Sequence, residues 1–334
     1  DVDLREPDPV HEGEGFEKRP EWCIFPGLSY RRHGELEIKQ NEIAREYDKL
    51  PFNRIEGSKD SRIGVAVSGI SYLYLKEALA ELGSDVKIYK IGNPYPLPEE
   101  TTRKFLESVD SVLVIEELDP VVEEQLLIAA TGRIPIYGKR TGNTSWNGEY
   151  SCESVKSALG KYLGVDEPES SDEALPPLPV RPPVLCSGCP HRASFYEAKV
   201  ASKDYPKAVY CGDIGCYTLG NAAPLFMTDT CLCMGAGITI AQGIKLAEPG
   251  TKCLAFIGDS TFFHTGIPGI INAVYQGTDI TVIVLDNHTT AMTGHQPHPG
   301  TGRRALGEES EAIDIETILR GCGVKHIATV DPFD

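Results

Sequence analysis

Two oxygen-bearing side chains, each placed where an apolar run ends, offer the clearest chemistry in the sequence. The run at 253–257 leads into Gly258-Asp259-Ser260, and the run at 280–285 leads into Asp286-Asn287. A helix-length segment separates them, so the runs read as the two strands of one βαβ unit. Neighbouring strands would bring Asp259 and Asn287 side by side at the carboxyl edge, where open α/β sheets bind ligands. A carboxylate, an amide oxygen and the backbone carbonyl of Thr289 form a hard oxygen set suited to Mg²⁺, which leaves room for phosphate oxygens. Gly258 allows the backbone to come close, and Ser260 and Thr261 can donate to a phosphate. Either half alone reads equally as a turn or a strand terminator. The strand-turn-helix-strand pattern between them gives the pair its weight.

Other reactive side chains lie on glycine-rich or cysteine-rich loops. His191, His264, His288 and His295 are candidates to touch the substrate or the groups around it, each more readily read as a surface or hydrogen-bonding residue than as an acid or base. The ten cysteines include Cys186-x-x-Cys189 and Cys231-x-Cys233. In a chain of this length, such clusters suit reduced thiols or metal ligation better than disulfides. Zinc would accept four of them; the plain reading is structural thiols, with Pro190 and Arg192 serving to start a helix.

These residues need elements to position them. An opening segment, 1–59, is charged and carries an amphipathic helical pattern over 36–50. From residue 60 the texture alternates, with strands at 63–67, 86–91, 112–115 and 134–137 and helices at 71–82, 98–107, 121–130 and 151–163. Strands alternating with helices imply a parallel sheet with right-handed crossovers, here a domain over 60–165. Residues 166–183 are rich in Pro, Ser and acid, as in Pro176-Pro-Leu-Pro179, and read as a linker. A second α/β domain follows over 184–334, with helices at 193–202, 235–246 and 266–275 and strands at 252–257 and 280–285.

Composition narrows the function classes. Lys plus Arg number 32 against 49 Asp plus Glu, a net charge of −17 with no long basic block, which argues against nucleic acid and anionic membranes as partners. Every apolar run is broken before the roughly 18 residues of a membrane span, and no leader pattern opens the chain. A cytoplasmic location is the expectation.

The Asp259 to Asn287 spacing resembles the Gly-Asp-Gly to Asn motif of thiamine diphosphate (ThDP) enzymes, with Ser260 in place of the final glycine. Further motifs make the likeness narrower: Cys186-Ser-Gly-Cys-Pro-His-Arg192, Gly212-Asp-Ile-Gly-Cys-Tyr217, Asp229-Thr-Cys-Leu-Cys-Met-Gly235 and Asp286-Asn-His-Thr-Thr-Ala-Met-Thr-Gly-His-Gln296. They resemble the alpha subunits of the indolepyruvate ferredoxin oxidoreductase family. Asn93-Pro-Tyr-Pro-Leu-Pro98, Val114-Ile-Glu-Glu-Leu-Asp119 and Glu123-Glu-Gln125 are similar to that family's transketolase C-terminal-like domain.

The resemblance implies a transketolase C-terminal-like domain followed by a ThDP-binding parallel α/β domain. It implies oxidative decarboxylation of aryl 2-oxo acids such as indolepyruvate, with coenzyme A as acyl acceptor, ferredoxin as electron acceptor and a second, beta, subunit in a hetero-oligomer. Asp259, Asn287 and Thr289 would hold Mg²⁺, Gly258, Ser260 and Thr261 would line the diphosphate, and Met234 and Gly235 would lie near the thiazolium or the diphosphate. Cys186, Cys189 and Cys216 match a pattern that helps ligate a 4Fe-4S cluster near ThDP in related enzymes, with Cys211, Cys231 and Cys322 as candidates for the fourth thiolate. The activating glutamate is expected in an N-terminal pyrimidine-binding domain and further clusters in a C-terminal ferredoxin-like domain, both outside these 334 residues. A non-oxidative ThDP decarboxylase and a non-catalytic assembly module are the alternatives.

Overall fold

The computed structural model describes residues 15–165 and 179–334. Two compact units emerge, Asp1–Leu175 and Pro176–Asp334. Most of the expected linker, residues 166–178 of it, lies outside the described residues.

The first unit opens with helix α1 (Pro26–Tyr47), which begins upstream of the amphipathic pattern because Pro26 occupies the first helical position, where its fixed φ and missing N–H cost nothing. None of its residues is buried. The sheet then follows in order: β1 (Arg54–Gly57), β2 (Ile63–Ser68), α2 (Ser71–Leu82), β3 (Lys87–Ile91), α3 (Glu99–Glu107), β4 (Ser111–Ile115), α4 (Val121–Ala130), β5 (Ile136–Tyr137) and α5 (Cys152–Leu163). Spatially it runs β1-β3-β2-β4-β5. Strands β3, β2, β4 and β5 are parallel, as the alternation dictates. Strand β1 departs from the expectation: residues assigned to a connecting segment ending at 59 add an antiparallel edge, pairing Ile55 with Tyr89.

Both faces of this sheet are covered, and the period of two along β2 shows how. Val65 and Val67 pack with Leu75 and Leu159, while Ala66 between them packs with Phe105 and Leu126.

The second unit repeats the scheme. It contains α6 (Pro190–Ser202), β6 (Ala208–Cys211), α7 (Ala236–Ala247), β7 (Lys252–Gly258), α8 (Asp259–Thr261), α9 (Ile267–Gln276), β8 (Thr281–Leu285) and α10 (Ile315–Gly321). Its three strands are parallel in the order β6-β7-β8, with Gly258 in register with Leu285. Along β7, Leu254 and Phe256 meet Phe195 and Tyr217 on one face, while Cys253, Ala255 and Ile257 meet Ile238 and Ile270 on the other. Among the described residues, no helix is long and apolar enough to cross a membrane.

The helix after β7 starts earlier than its sequence suggests. Gly266 and Pro268 read as start signals, yet the chain turns helical at Asp259 and reaches α9 through a π-helical turn over Phe262–Gly266. Phe262 is fully buried in the core, so the early start is driven by packing that a local pattern does not reveal.

Candidate functional site

The ends of β7 and β8 meet as the sequence pattern requires. The Asn287 N–H donates to Asp259 Oδ2 at 3.1 Å, and the Ser260 N–H donates to Asp259 Oδ1 at 2.7 Å. Asp259 is only 3% exposed. Burial raises its pKa above the ordinary carboxylate value; the Ser260 N–H and the His298 ring oppose the shift, whereas the neighbouring Asp286 carboxyl adds to it. Two carboxyls brought together at a sheet edge, one of them buried, are relieved by a cation. The amide oxygen of Asn287 accepts the Thr289 N–H at 3.3 Å, which draws Thr289 back toward the same edge. The Asp259 carboxylate and the Asn287 amide oxygen are hard oxygen donors of the kind Mg²⁺ takes, so the chemistry of the donors is compatible with that metal.

One side chain that the sequence reading passed over touches the Asp259 carboxylate. His298 is 7% exposed, and its Nε2 lies 3.0 Å from Asp259 Oδ2. Its Nδ1 accepts the Gly300 N–H at 3.1 Å, so in the neutral ring the proton is on Nε2 and is donated to the carboxylate. The ring stacks on Phe263 in the π-turn, centroids 5.6 Å apart. Of the histidines singled out from the sequence, His264, His288 and His295 are exposed. His191 is buried edge-on against Tyr217, and burial lowers its pKa.

A second cluster stands at the end of β6. Asp213 is fully buried; its Oδ1 accepts the Gly235 N–H at 2.8 Å, and its Oδ2 lies 3.0 Å from the Tyr217 hydroxyl. Burial raises the Asp213 pKa. The Tyr217 hydroxyl is also 3.3 Å from Thr261 Oγ1, so a chain of polar contacts runs from Gly235 through Asp213 and Tyr217 to the helix that Asp259 begins. Gly235 has φ +86, and a Cβ there would come within 2.5 Å of Thr265 Oγ1, so only glycine fits. Asp213 lies within the motif at 212–217, and that motif was its only signal in the sequence.

The residues expected to line a diphosphate divide. Gly258 lies against the Tyr217 ring, where a Cβ would come within 2.6 Å. The Ser260 hydroxyl accepts the Thr290 hydroxyl at 2.7 Å and keeps its own proton to donate. Thr261 is the correction: it is 3% exposed and turns its hydroxyl inward toward Tyr217, because the helix starts at Asp259 and Thr261, in its first turn, falls on the side facing the core. Met234 is exposed at the start of α7.

Cys186, Cys189 and Cys216 share one neighbourhood. Burial first, then the Cys189 and Cys186 thiols, raise the pKa of Cys216. Tetrahedral zinc–thiolate bonds of about 2.3 Å place sulfurs roughly 3.8 Å apart. Among the described residues the only ligand group within 4.8 Å of one another is Glu77, Glu81 and Cys152, so the trio is not set as a zinc site. A cubane cluster spreads its thiolates more widely than a single ion. Cys211 and Cys322 belong to the core on the Ile238 face of the sheet, whereas Cys189 packs on the Phe195 face, which removes both as partners of the trio. Cys231 is exposed, with its Sγ 3.6 Å from the Asp213 carbonyl oxygen.

Comparison with known proteins gives the family of the chain. Residues 213–334 match the thiamine pyrophosphate enzyme C-terminal TPP-binding domain, and residues 53–168 match the indolepyruvate oxidoreductase domain. The indolepyruvate oxidoreductase subunit IorA of Thermococcus kodakarensis is 40% identical over 96% of this chain and 52% of that protein. The IorA subunit of Archaeoglobus fulgidus is 39% identical over the same shares. A 2-oxoglutarate synthase subunit KorB from Archaeoglobus fulgidus is 29% identical over 44% of this chain and 58% of that protein. The chain thus spans about half the length of the curated relatives it matches. With both domain models matched and this identity held along nearly all of its residues, the chain belongs to the family of indolepyruvate oxidoreductase subunits IorA.

Proposed function

We propose that this chain supplies the diphosphate- and Mg²⁺-holding half of a thiamine diphosphate site in a 2-oxo acid oxidoreductase. The observation that carries the reading is the contact between the Asn287 N–H and the buried Asp259 carboxylate at the carboxyl ends of adjacent parallel strands. Asp259, the Asn287 amide oxygen and the Thr289 carbonyl hold the metal. Gly258 and the Ser260 hydroxyl face the diphosphate, and Met234 and Gly235 border the thiazolium side. ThDP, when bound, supplies the electron sink that a 2-oxo acid requires as it loses CO₂. The protein's own residues anchor, orient and exclude water.

The substrate is an aryl 2-oxo acid such as indolepyruvate, the acyl group passes to coenzyme A, and electrons pass to ferredoxin. A second, beta, subunit completes the assembly. The names of the IorA relatives support the substrate class, since each of those proteins is an indolepyruvate oxidoreductase subunit. Cys186, Cys189 and Cys216 are proposed to hold a 4Fe-4S cluster, with Cys231 as the thiol left to complete four.

Calorimetry on the full-length protein tests the core of this reading. ThDP binding that requires Mg²⁺ and disappears in Asp259→Ala supports it, and ferredoxin reduction with arylpyruvates and coenzyme A is then expected. Mg²⁺-independent binding, or equal binding by the variant, sinks it.

A further inference from the structure

The Asp259 carboxylate has two oxygens and room for about four hydrogen-bond or metal partners. Among the described residues, Oδ2 takes two N–H donors, from Asn287 at 3.1 Å and from the His298 ring at 3.0 Å, and Oδ1 takes one, from Ser260. Oδ2 therefore carries two N–H donors and Oδ1 one, which leaves a lone pair on Oδ1, and the Asp286 carboxyl also lies against the group. Which way that lone pair points depends on rotation about the Cβ–Cγ bond, and the donors on both oxygens set that rotation together. The Asn287 and Ser260 donors belong to the backbone; the His298 ring is the one donor contributed by a side chain.

His298 is itself held from several sides. The Gly300 N–H fixes the proton on Nε2, Phe263 stacks against the ring, and the Thr301 N–H and hydroxyl donate to the His298 carbonyl at 2.9 and 2.8 Å. The ring is thus held by its own hydrogen bonds and by packing on Phe263. Its position is that of the outer partner which orients a metal-binding carboxylate.

We propose that His298 is the positioning residue of the metal centre: by donating Nε2–H to Asp259 Oδ2, it turns the carboxylate so that Oδ1 faces the cation. The inference rests on the reading of Asp259 as a metal ligand given above, and its test separates the two.

The test is Mn²⁺ binding to the full-length protein in the presence of ThDP, read by electron paramagnetic resonance, with the thermal midpoint of the metal-free protein measured alongside. Asp259→Ala marks loss of the centre. His298→Ala is expected to weaken Mn²⁺ binding about 10- to 100-fold. His298→Gln, whose amide N–H reaches the place of Nε2, is expected to stay close to the wild type. His298→Asn, one carbon shorter, is expected to bind as poorly as His298→Ala. A ring needed only for packing would lower the midpoint in the Gln and Asn variants alike and leave no gap between their metal affinities, and that result would overturn the proposal. Wild-type affinity in His298→Ala with none in Asp259→Ala also overturns it, while leaving the metal site in place. No Mn²⁺ binding by the wild type would defeat both.

Discussion

At the scale of single residues, the proposed metal centre depends on a carboxylate that is costly to ionise. Burial and the Asp286 carboxyl raise the pKa of Asp259 above its ordinary 3.8, so the metal-free fold is favoured by protonation and loses stability as pH rises through the raised value. A cation needs the ionised form, so protons compete with it up to a higher pH than for an exposed aspartate. The stabilisation that Mg²⁺ with ThDP confers on thermal melting is therefore expected to fade as pH falls through a window above 3.8, while Asp259→Ala shows none at any pH. A benefit from Mg²⁺ that persists undiminished below that window would contradict the assignment. Asp259 and Asn287 were legible in the sequence because a βαβ unit fixes their relation through short-range pattern. His298 was not: it reaches Asp259 from 39 positions away through one side-chain contact set by a loop, and no periodicity marks such a contact.

At the scale of elements, close approach between helix and strand keeps the loops of the site in place. Gly237, in the first turn of α7, lies so near the end of β6 that an added Cβ would come within 2.6 Å of the Gly212 carbonyl oxygen and 3.2 Å of that of Cys211. Both neighbours are backbone, so neither can rotate away. Gly237→Ala is expected to cost about 1–3 kcal/mol through overpacking, and to loosen the Asp213 to Gly235 bond by pushing the two elements apart. Urea denaturation checks the first effect, and weaker ThDP binding checks the second; an unchanged midpoint would show that α7 shifts freely. The strands β2, β4 and β7 were readable because buried parallel strands are nearly continuous apolar runs. Strand β1 was not, because Arg54-Ile-Glu-Gly57 is short, polar and confined to an edge. The π-turn was hidden for a related reason. Its register is set by Phe262 entering the core and Phe263 meeting His298, both of them tertiary contacts.

At the scale of the whole molecule, the two units carry unequal shares of the chemistry. Every residue assigned here to metal or diphosphate lies in Pro176–Asp334, and the doubly covered sheet of Asp1–Leu175 contributes none of them. The alternation of strand and helix made both α/β units legible, since each must bury two faces of a parallel sheet. The charge of −17 indicated only which partners to discount. A ligand that binds the folded state protects the elements it ties together, in proportion to its occupancy. Hydrogen exchange on the full-length protein, with and without Mg²⁺ and ThDP, is accordingly expected to slow at the end of β7, across α8 and the π-turn, and over residues 286–301. The amides of Gly235 and Asn287, already bonded to Asp213 and Asp259, should slow further as local opening around the site becomes rarer. Strands β2 to β5 should exchange at the same rate in both conditions. Equal slowing in both sheets would mean that the protection is not centred on the residues assigned to the ligand, and would count against that assignment.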